Sequence, residues 1–252
     1  MTRLRCALDV LAMEVFLVMR GALFHGSAHE CPVCGASVRA FTRGGGSLRP
    51  RVRGYCPRCN AKARHRRVWL HCRQHTNMFN RKIRLLHVSP KYCLSRRIVR
   101  MQNVDYVAVD LARGPHVTVI GDLTDLGLRS ESFDAILCVH VLEHIPNDRA
   151  AISEMWRVLR AGGWAVVSVP LDLEQPTFED PSIVTPEDRR RSFGEADHVR
   201  VYGRDISERF EEAGFDTALF RADALDSTLI ERHGLTSDEH VLLCTKPAVG
   251  QR

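Results

Sequence analysis

The residues best able to do chemistry fall into three groups. CPVCG at Cys31–Gly35 and CPRCN at Cys56–Asn60 are two C-x-x-C turns, 21 residues apart. Each turn can bring two thiolates to one ion, and two such turns complete the tetrahedron that zinc favours. Cys31, Cys34, Cys56 and Cys59 are therefore candidate ligands of a structural Zn²⁺. The second group is HVLEHIP, where His140, Glu143 and His144 spell the H-x-x-E-H of some zinc metalloproteases. The third is GEADHVRVYG, which offers Asp197, His198, Arg200 and Tyr202. His198 is a candidate general base with Asp197 as its orienting carboxylate. The competing reading is that DHVR only ties its loop to the rest of the fold.

These groups sit in a chain of uneven charge. Between Cys31 and Val104 there are 18 Lys or Arg and no Asp or Glu, whereas the stretch from Asp105 onward is acidic. A basic front suggests an anionic partner, nucleic acid or a membrane surface, or else docking of the two halves on each other. Arg49, Arg51, Arg53, Arg58, Lys62, Arg64, Arg66 and Arg67 would suit phosphates, with Phe41, Tyr55 and Trp69 as the aromatics able to stack on bases. The other cysteines are scattered singly, which excludes a secreted disulfide framework and points to the reducing cytoplasm. Residues 1–24 begin with basic residues and an apolar run, but Asp9 and Glu14 interrupt it. A charge at mid-membrane is expensive, so this is an amphipathic helix packed on the protein or lying on a membrane, the inner face if so. His65, His71 and His75 are read as surface residues of the helix AKARHRRVWLHCRQH.

From about Arg81 short β-rich runs alternate with helical ones. IRLLHV, VDYVAVD, HVTVI, FDAILCV and WAVVSVP read as strands, followed later by FDTALF and EHVLLCTK. NDRAAISEMWRVLR carries Ile152, Met155, Trp156 and Leu159 at helical spacing, with Asn147 as its cap and Gly162–Gly163 at its end. RDISERFEEAGF is a further helix ending at Gly214. Such alternation implies an α/β fold with a mostly parallel sheet. It also decides the meaning of H-x-x-E-H. A protease signature lies within one helix, whereas His140 directly follows a strand and Pro146 would break a helix begun there. HVLEHIP is a strand-to-helix loop.

The stretch DLTDLGLRSESFDAILCVHVLEHIPNDRAAISEMWRVLRAGGWAVVSVP strongly resembles class I S-adenosylmethionine-dependent methyltransferases, over roughly residues 81–247. The resemblance implies a Rossmann-like seven-stranded sheet preceded by a small zinc ribbon. Residues 1–26 are then the amphipathic helix, 27–80 the ribbon and basic helix, and 81–252 the methyltransferase domain with a substrate or lid insertion at 170–204. S-adenosylmethionine is the implied cofactor, contacted by Val88 and Ser89 after the first strand and by Asp110 and Leu111 after the second. Asp122 and Leu123 would follow at the third strand, and Val139 and His140 at the fourth. Asp110 suits a carboxylate that accepts from the ribose hydroxyls; a turn or cap residue is the alternative. The sequence departs from the family at HVSPK, where the expected glycines are absent. The acceptor implied is a small molecule, glycan or cell-surface precursor. RNA held by the basic 31–104 region and a non-catalytic scaffold are the competing readings.

Overall fold

The computed structural model describes residues 3–44, 50–51, 54–248 and 250. Seven strands make the central sheet: β1 (Ile83–Val88), β2 (Val104–Asp110), β3 (Val119–Ile120), β4 (Phe133–Val139), β5 (Leu159–Ser168), β6 (Asp216–Phe220) and β7 (Val241–Thr245). Their spatial order is β6-β7-β5-β4-β1-β2-β3. The pairs β1/β2, β1/β4, β2/β3 and β4/β5 are parallel, and β7 runs antiparallel to β5 and β6. This is the class I methyltransferase sheet. The chain winds outward from β1 in one direction and from β4 in the other, so strand order reverses between them. Ligands of such sheets bind beyond the carboxyl ends of the strands at that reversal.

Among the described residues the α-helices are α1 (Arg3–Leu23), α2 (Ala63–His75), α3 (Tyr92–Ile98), α4 (Asp148–Val158), α5 (Pro186–Phe193), α6 (Ile206–Glu212) and α7 (Ser227–His233). Period-two alternation along the strands feeds two separate cores. Leu86 and Val88 of β1, Ile136 and Cys138 of β4, and Ala165 and Val167 of β5 pack with Ile152, Met155 and Phe210 from α4 and α6. Leu85, Ala135, Leu137, Val139, Trp164 and Val166 face the other way. They pack with Val68, Trp69 and Cys72 of α2 and with Cys31, Val33, Val38, Phe41 and Cys56. The cysteine-bearing segment thus covers the second face of the sheet.

Several elements differ from expectation for local reasons. β3 begins at Val119, not His116, because His116 takes a positive φ of 66°. β5 begins directly after α4, and the Gly162–Gly163 pair lies inside it as an irregularity where register passes from Phe133–Leu159 to Ala135–Trp164. Of the segment between the two cysteine turns, Pro50–Arg51 pairs with Phe41–Thr42, while Gly45, Gly46, Arg49 and Arg53 fall outside the described residues. His65 and His71 are 5% and 0% exposed, so the reading of them as surface residues is corrected: α2 is wedged between the sheet and the cysteine turns. α5 was not foreseen, although Thr185 accepts from Asp188 N at its start and Pro186 occupies its first turn, a combination that favours helix initiation.

α1 is packed on the protein. Leu17, Arg20 and Phe24 are buried, Glu14 pairs with Arg96 at 2.8 Å, and Tyr92 donates to Glu14 at 2.6 Å. Its other side leaves Leu11, Val15, Phe16, Val18, Met19 and Leu23 exposed. Among the described residues no helix is long and apolar enough to cross a membrane.

Candidate cofactor, acceptor and metal sites

The four cysteines of the two turns converge. Their sulfurs all lie within 4.8 Å of one another, with Cys31–Cys59 and Cys34–Cys56 both at 3.7 Å. A Zn–S bond of ~2.3 Å requires tetrahedral sulfur separations of about 3.8 Å, so the cluster is compatible with zinc. The two turns are built alike. Gly35 N donates to Cys31 O at 2.7 Å and Asn60 N to Cys56 O at 2.9 Å, with positive φ at Gly35 (71°) and Asn60 (61°). Glycine and asparagine are the residues that tolerate that backbone at least cost. The guanidinium of Arg20 on α1 holds the second turn by donating to Pro57 O at 2.8 Å and Cys56 O at 3.2 Å. Arg97 on α3 holds the first by donating to Cys34 O at 2.5 Å.

The basic front behaves differently from its sequence appearance. Arg66 is wholly buried and donates to Gly54 O, Ala61 O, His233 O and Gly234 O at 2.6–3.0 Å. Arg67 is 3% exposed and donates to Phe220 O. Both staple the chain together and neither offers a charge to phosphate. Phe41 and Trp69 are buried too, which removes two of the three aromatics expected to stack on bases.

At the reversal between β1 and β4, a cavity of about 610 Å³ opens over the strand tips. Val88, Ser89, Asp110, Leu111, Asp122, Leu123 and His140 line it, together with Gly121 and Lys91; Val139, expected at the cofactor, is instead buried in the core on the α2 side of the sheet. Asp110 closes β2, and its Oδ1 accepts from Ala112 N at 3.2 Å, so it is a turn residue as well as a lining carboxylate. Asp122 Oδ1 accepts from the backbone and hydroxyl of Thr124, both at 2.8 Å. The HVSPK loop keeps a backbone that glycine would favour: Ser89 has φ 45° and donates its N–H to Val109 O at 2.8 Å. A side chain in that region is strained by about 1–3 kcal/mol. Ser89→Gly is therefore expected to leave stability unchanged or raise it, and Ser89→Val to lower it by about 1–2 kcal/mol. Urea denaturation of the two variants checks this, and equal midpoints would show an unstrained loop.

His140, the first residue after β4, has φ 53°, and its N–H donates to Ser168 O at 2.7 Å. Its ring lies 3.1 Å from Glu143 and 3.5 Å from Glu239. Burial lowers the pKa of the imidazole, but the two carboxylates outweigh it and hold the value above the ordinary one. Beyond His140 a second cavity of about 530 Å³ shares Lys91, His140, His144 and Asp197 with the first. His198, Glu143, Glu195, Lys62 and Arg64 complete its polar wall. His198 and Asp197 both reach this cavity, but they do not contact each other as the sequence suggests. His198 Nδ1 faces Phe193 O at 3.2 Å, and the Asp197 carboxylate instead meets His144 Nδ1 at 3.3 Å. Lys62 and Arg64, read from the sequence as phosphate contacts of the basic front, reach this cavity instead. Sequence reasoning missed Lys91 and Glu239 as site residues; their only signal was position, one after β1 and one before β7.

Comparison with known proteins agrees with this geometry. The family described as a methyltransferase domain matches residues 91–167. A curated protein of Mycolicibacterium smegmatis (strain ATCC 700084 / mc(2)155), named "Probable S-adenosylmethionine-dependent methyltransferase", is 32% identical over 151 residues, 56% of this chain. The chain spans about half of that relative's length, 53%. Among solved structures, the Burkholderia thailandensis 1,6-didemethyltoxoflavin-N1-methyltransferase with bound S-adenosylhomocysteine superposes with TM-score 0.51 at 16% identity, over 73% of this chain and 78% of that one. The cyclase SpnF superposes with TM-score 0.54 at 14% identity, over 95% of both chains. These two likenesses are of fold. The stretch that matches the methyltransferase-domain family, residues 91–167, runs from α3 into β5 of the seven-stranded sheet.

Proposed function

We propose that this protein is an S-adenosylmethionine-dependent methyltransferase acting on a small molecule, a glycan or a cell-surface precursor that bears an anionic group. The observation that carries the reading is the pair of adjoining cavities: one lies over the strand tips with Asp110 at its wall, the other is lined by imidazoles, three cations and the carboxylates of Glu143, Glu195 and Asp197. S-adenosylmethionine, held in the first, supplies a methyl carbon already activated by a sulfonium charge. The residues then have mainly to hold donor and acceptor in line. Asp110 would accept from the ribose hydroxyls, Leu111 and Leu123 flank the adenine, and Ser89 with Val88 meets the methionine end. Lys62, Arg64 and Lys91 reach the second cavity, and no carboxylate pairs with any of them among the described residues. Unpaired cations there suit a phosphate or carboxylate on the acceptor. His198, with its Nε2 clear of the Phe193 contact, is the base for an acceptor that must lose a proton, and Asp197 acts through the neighbouring His144.

An RNA acceptor keeps Arg64 but loses Arg66 and Arg67 as phosphate contacts, so the smaller anionic acceptor is preferred. The test is calorimetric binding of S-adenosylhomocysteine to the metal-loaded protein and to Asp110→Ala. Loss of charge-assisted hydrogen bonds at about 1.5–3 kcal/mol each predicts binding weaker by about 10- to 100-fold in the variant. Equal affinity in both proteins, or no binding to the folded wild type, would remove the cofactor site as assigned.

A further inference from the structure

We infer that Glu143, His144 and His198 form a second metal site, for one divalent first-row transition ion, where the two cavities meet. One ligand atom of each residue lies within 4.8 Å of those of the other two. Glu143 and His144 belong to the single 3-10 turn Leu142–His144, while His198 comes from the loop after α5. That loop is fastened to the turn: Val199 N donates to Glu143 O at 2.9 Å, and the buried guanidinium of Arg200 donates to Leu142 O, Ile145 O and Pro146 O at 2.6–2.9 Å. The three ligands are thus preset without an ion.

In both rings Nδ1 already has a partner. His198 Nδ1 meets a backbone carbonyl, Phe193 O, at 3.2 Å, and His144 Nδ1 meets the Asp197 carboxylate and carbonyl at 3.3 Å. A partner of that kind keeps the proton on Nδ1 and leaves the Nε2 lone pair for a metal. The Glu143 carboxylate is 1% exposed, and neither oxygen accepts a well-directed hydrogen bond; its nearest cation is His140 Nδ1 at 3.1 Å. Burial of a carboxylate so poorly satisfied is costly unless a charge compensates it. Two imidazoles and one carboxylate favour zinc, iron, cobalt or manganese over magnesium or calcium, which prefer all-oxygen shells. Three protein ligands also leave a position open toward the acceptor cavity.

The role of the site rests on the methyl-transfer reading above. A hydroxyl acceptor bound at the open position would be acidified by the ion and release its proton to solvent. Its oxygen then attacks the methyl carbon; the C–O bond forms, the C–S bond breaks, and the electron pair of that bond returns to sulfur, leaving a neutral thioether. On this inference His198 holds the ion, and the ion takes over the acidification that His198 would otherwise perform.

The test is titration of Co²⁺ into protein whose four-cysteine site already holds zinc, followed by visible absorption and by elemental analysis. The expected result is one further ion per chain with ligand-field bands and no thiolate charge-transfer band. His144→Gln and His198→Gln should each weaken uptake at least about tenfold, in line with the cost of disturbing a metal's ligand set. Their thermal midpoints, taken on the same samples, show that they fold. Uptake by neither wild type nor variants, or equal uptake by all, overturns the site. S-adenosylhomocysteine binding by the wild type is scored alongside. Cofactor binding without cobalt uptake rejects the metal site alone, and cobalt uptake without cofactor binding rejects the methyltransferase reading and the role drawn from it.

Discussion

Removing the ion from the four-cysteine site, by chelation or by Cys56→Ser, is expected to unfold the whole chain rather than its front alone. The sulfurs are the centre of a buried cluster that also contains Leu85 of β1, Leu137 of β4, Trp164 of β5 and Val241 of β7. Loss of the turns would expose one face of the central sheet to water. It would also free Arg20, Arg66 and Arg97, three cations whose hydrogen bonds go to carbonyls in and around the turns. Structural zinc contributes about 10–16 kcal/mol in small zinc-dependent folds, as much as the whole stability of a typical domain, about 5–15 kcal/mol. Far-UV circular dichroism and S-adenosylhomocysteine calorimetry, before and after chelation, give the readout. A chelated chain that keeps its helix signal, thermal midpoint and ligand heat would show the four thiols to be structurally dispensable.

Mild acid should destabilise the protein through imidazoles that the core keeps neutral. His87 on β1 is wholly buried, with Tyr106 hydroxyl at 3.1 Å from its Nδ1. Burial lowers its pKa from 6.5 to about 3. Above pH 6.5 neither the folded nor the unfolded chain protonates this ring, and it adds no pH dependence. As pH falls below 6.5 the unfolded chain takes up a proton that the folded chain refuses until about pH 3, so stability is lost progressively across that window. Between pH 7 and pH 5 the loss from His87 alone is about 2 kcal/mol, at 1.36 kcal/mol per unit. His71 is shifted the same way, also to about 3, and His65 in the same direction, so the total is larger. Urea denaturation at the two pH values measures it. His87→Gln should start less stable but lose about 2 kcal/mol less on acidification; an unchanged pH dependence would rule out His87 as the source.

What was legible in the sequence follows the range of the signal. Strand alternation, the C-x-x-C spacing and the Pro146 that bars a helix are local patterns, and each led to its element. Asp110, Asp122 and His140 were placed at strand tips by the family resemblance, and all three line the cavity there. Burial of Arg66 and Arg67 was not legible, since the carbonyls that receive them, His233 O and Phe220 O, lie more than 150 residues away. Nothing in RHRR distinguishes a staple from a solvated basic face. The pairing of Asp197 with His144 was obscured by a nearer candidate, because Asp197 and His198 are adjacent in sequence yet point to different partners. The positive φ at Ser89 was not legible for another reason: a conformation usually marked by glycine is held here by a residue that carries no such mark.

The cluster that joins the cysteine turns to the sheet also bears on how the protein is made. Cys31 to Cys59 emerge from the ribosome long before Trp164 and Val241, the strands that close over them. The thiolates therefore have a period of open access during synthesis and much less afterwards, since Cys31, Cys56 and Cys59 end within 1% of complete burial and Cys34 is left half-buried. Metal loading becomes a matter of timing as much as affinity. A chain that misses its ion early would have to reopen the core to acquire one, and slow, unfolding-limited metal exchange is the kinetic mark such an arrangement leaves.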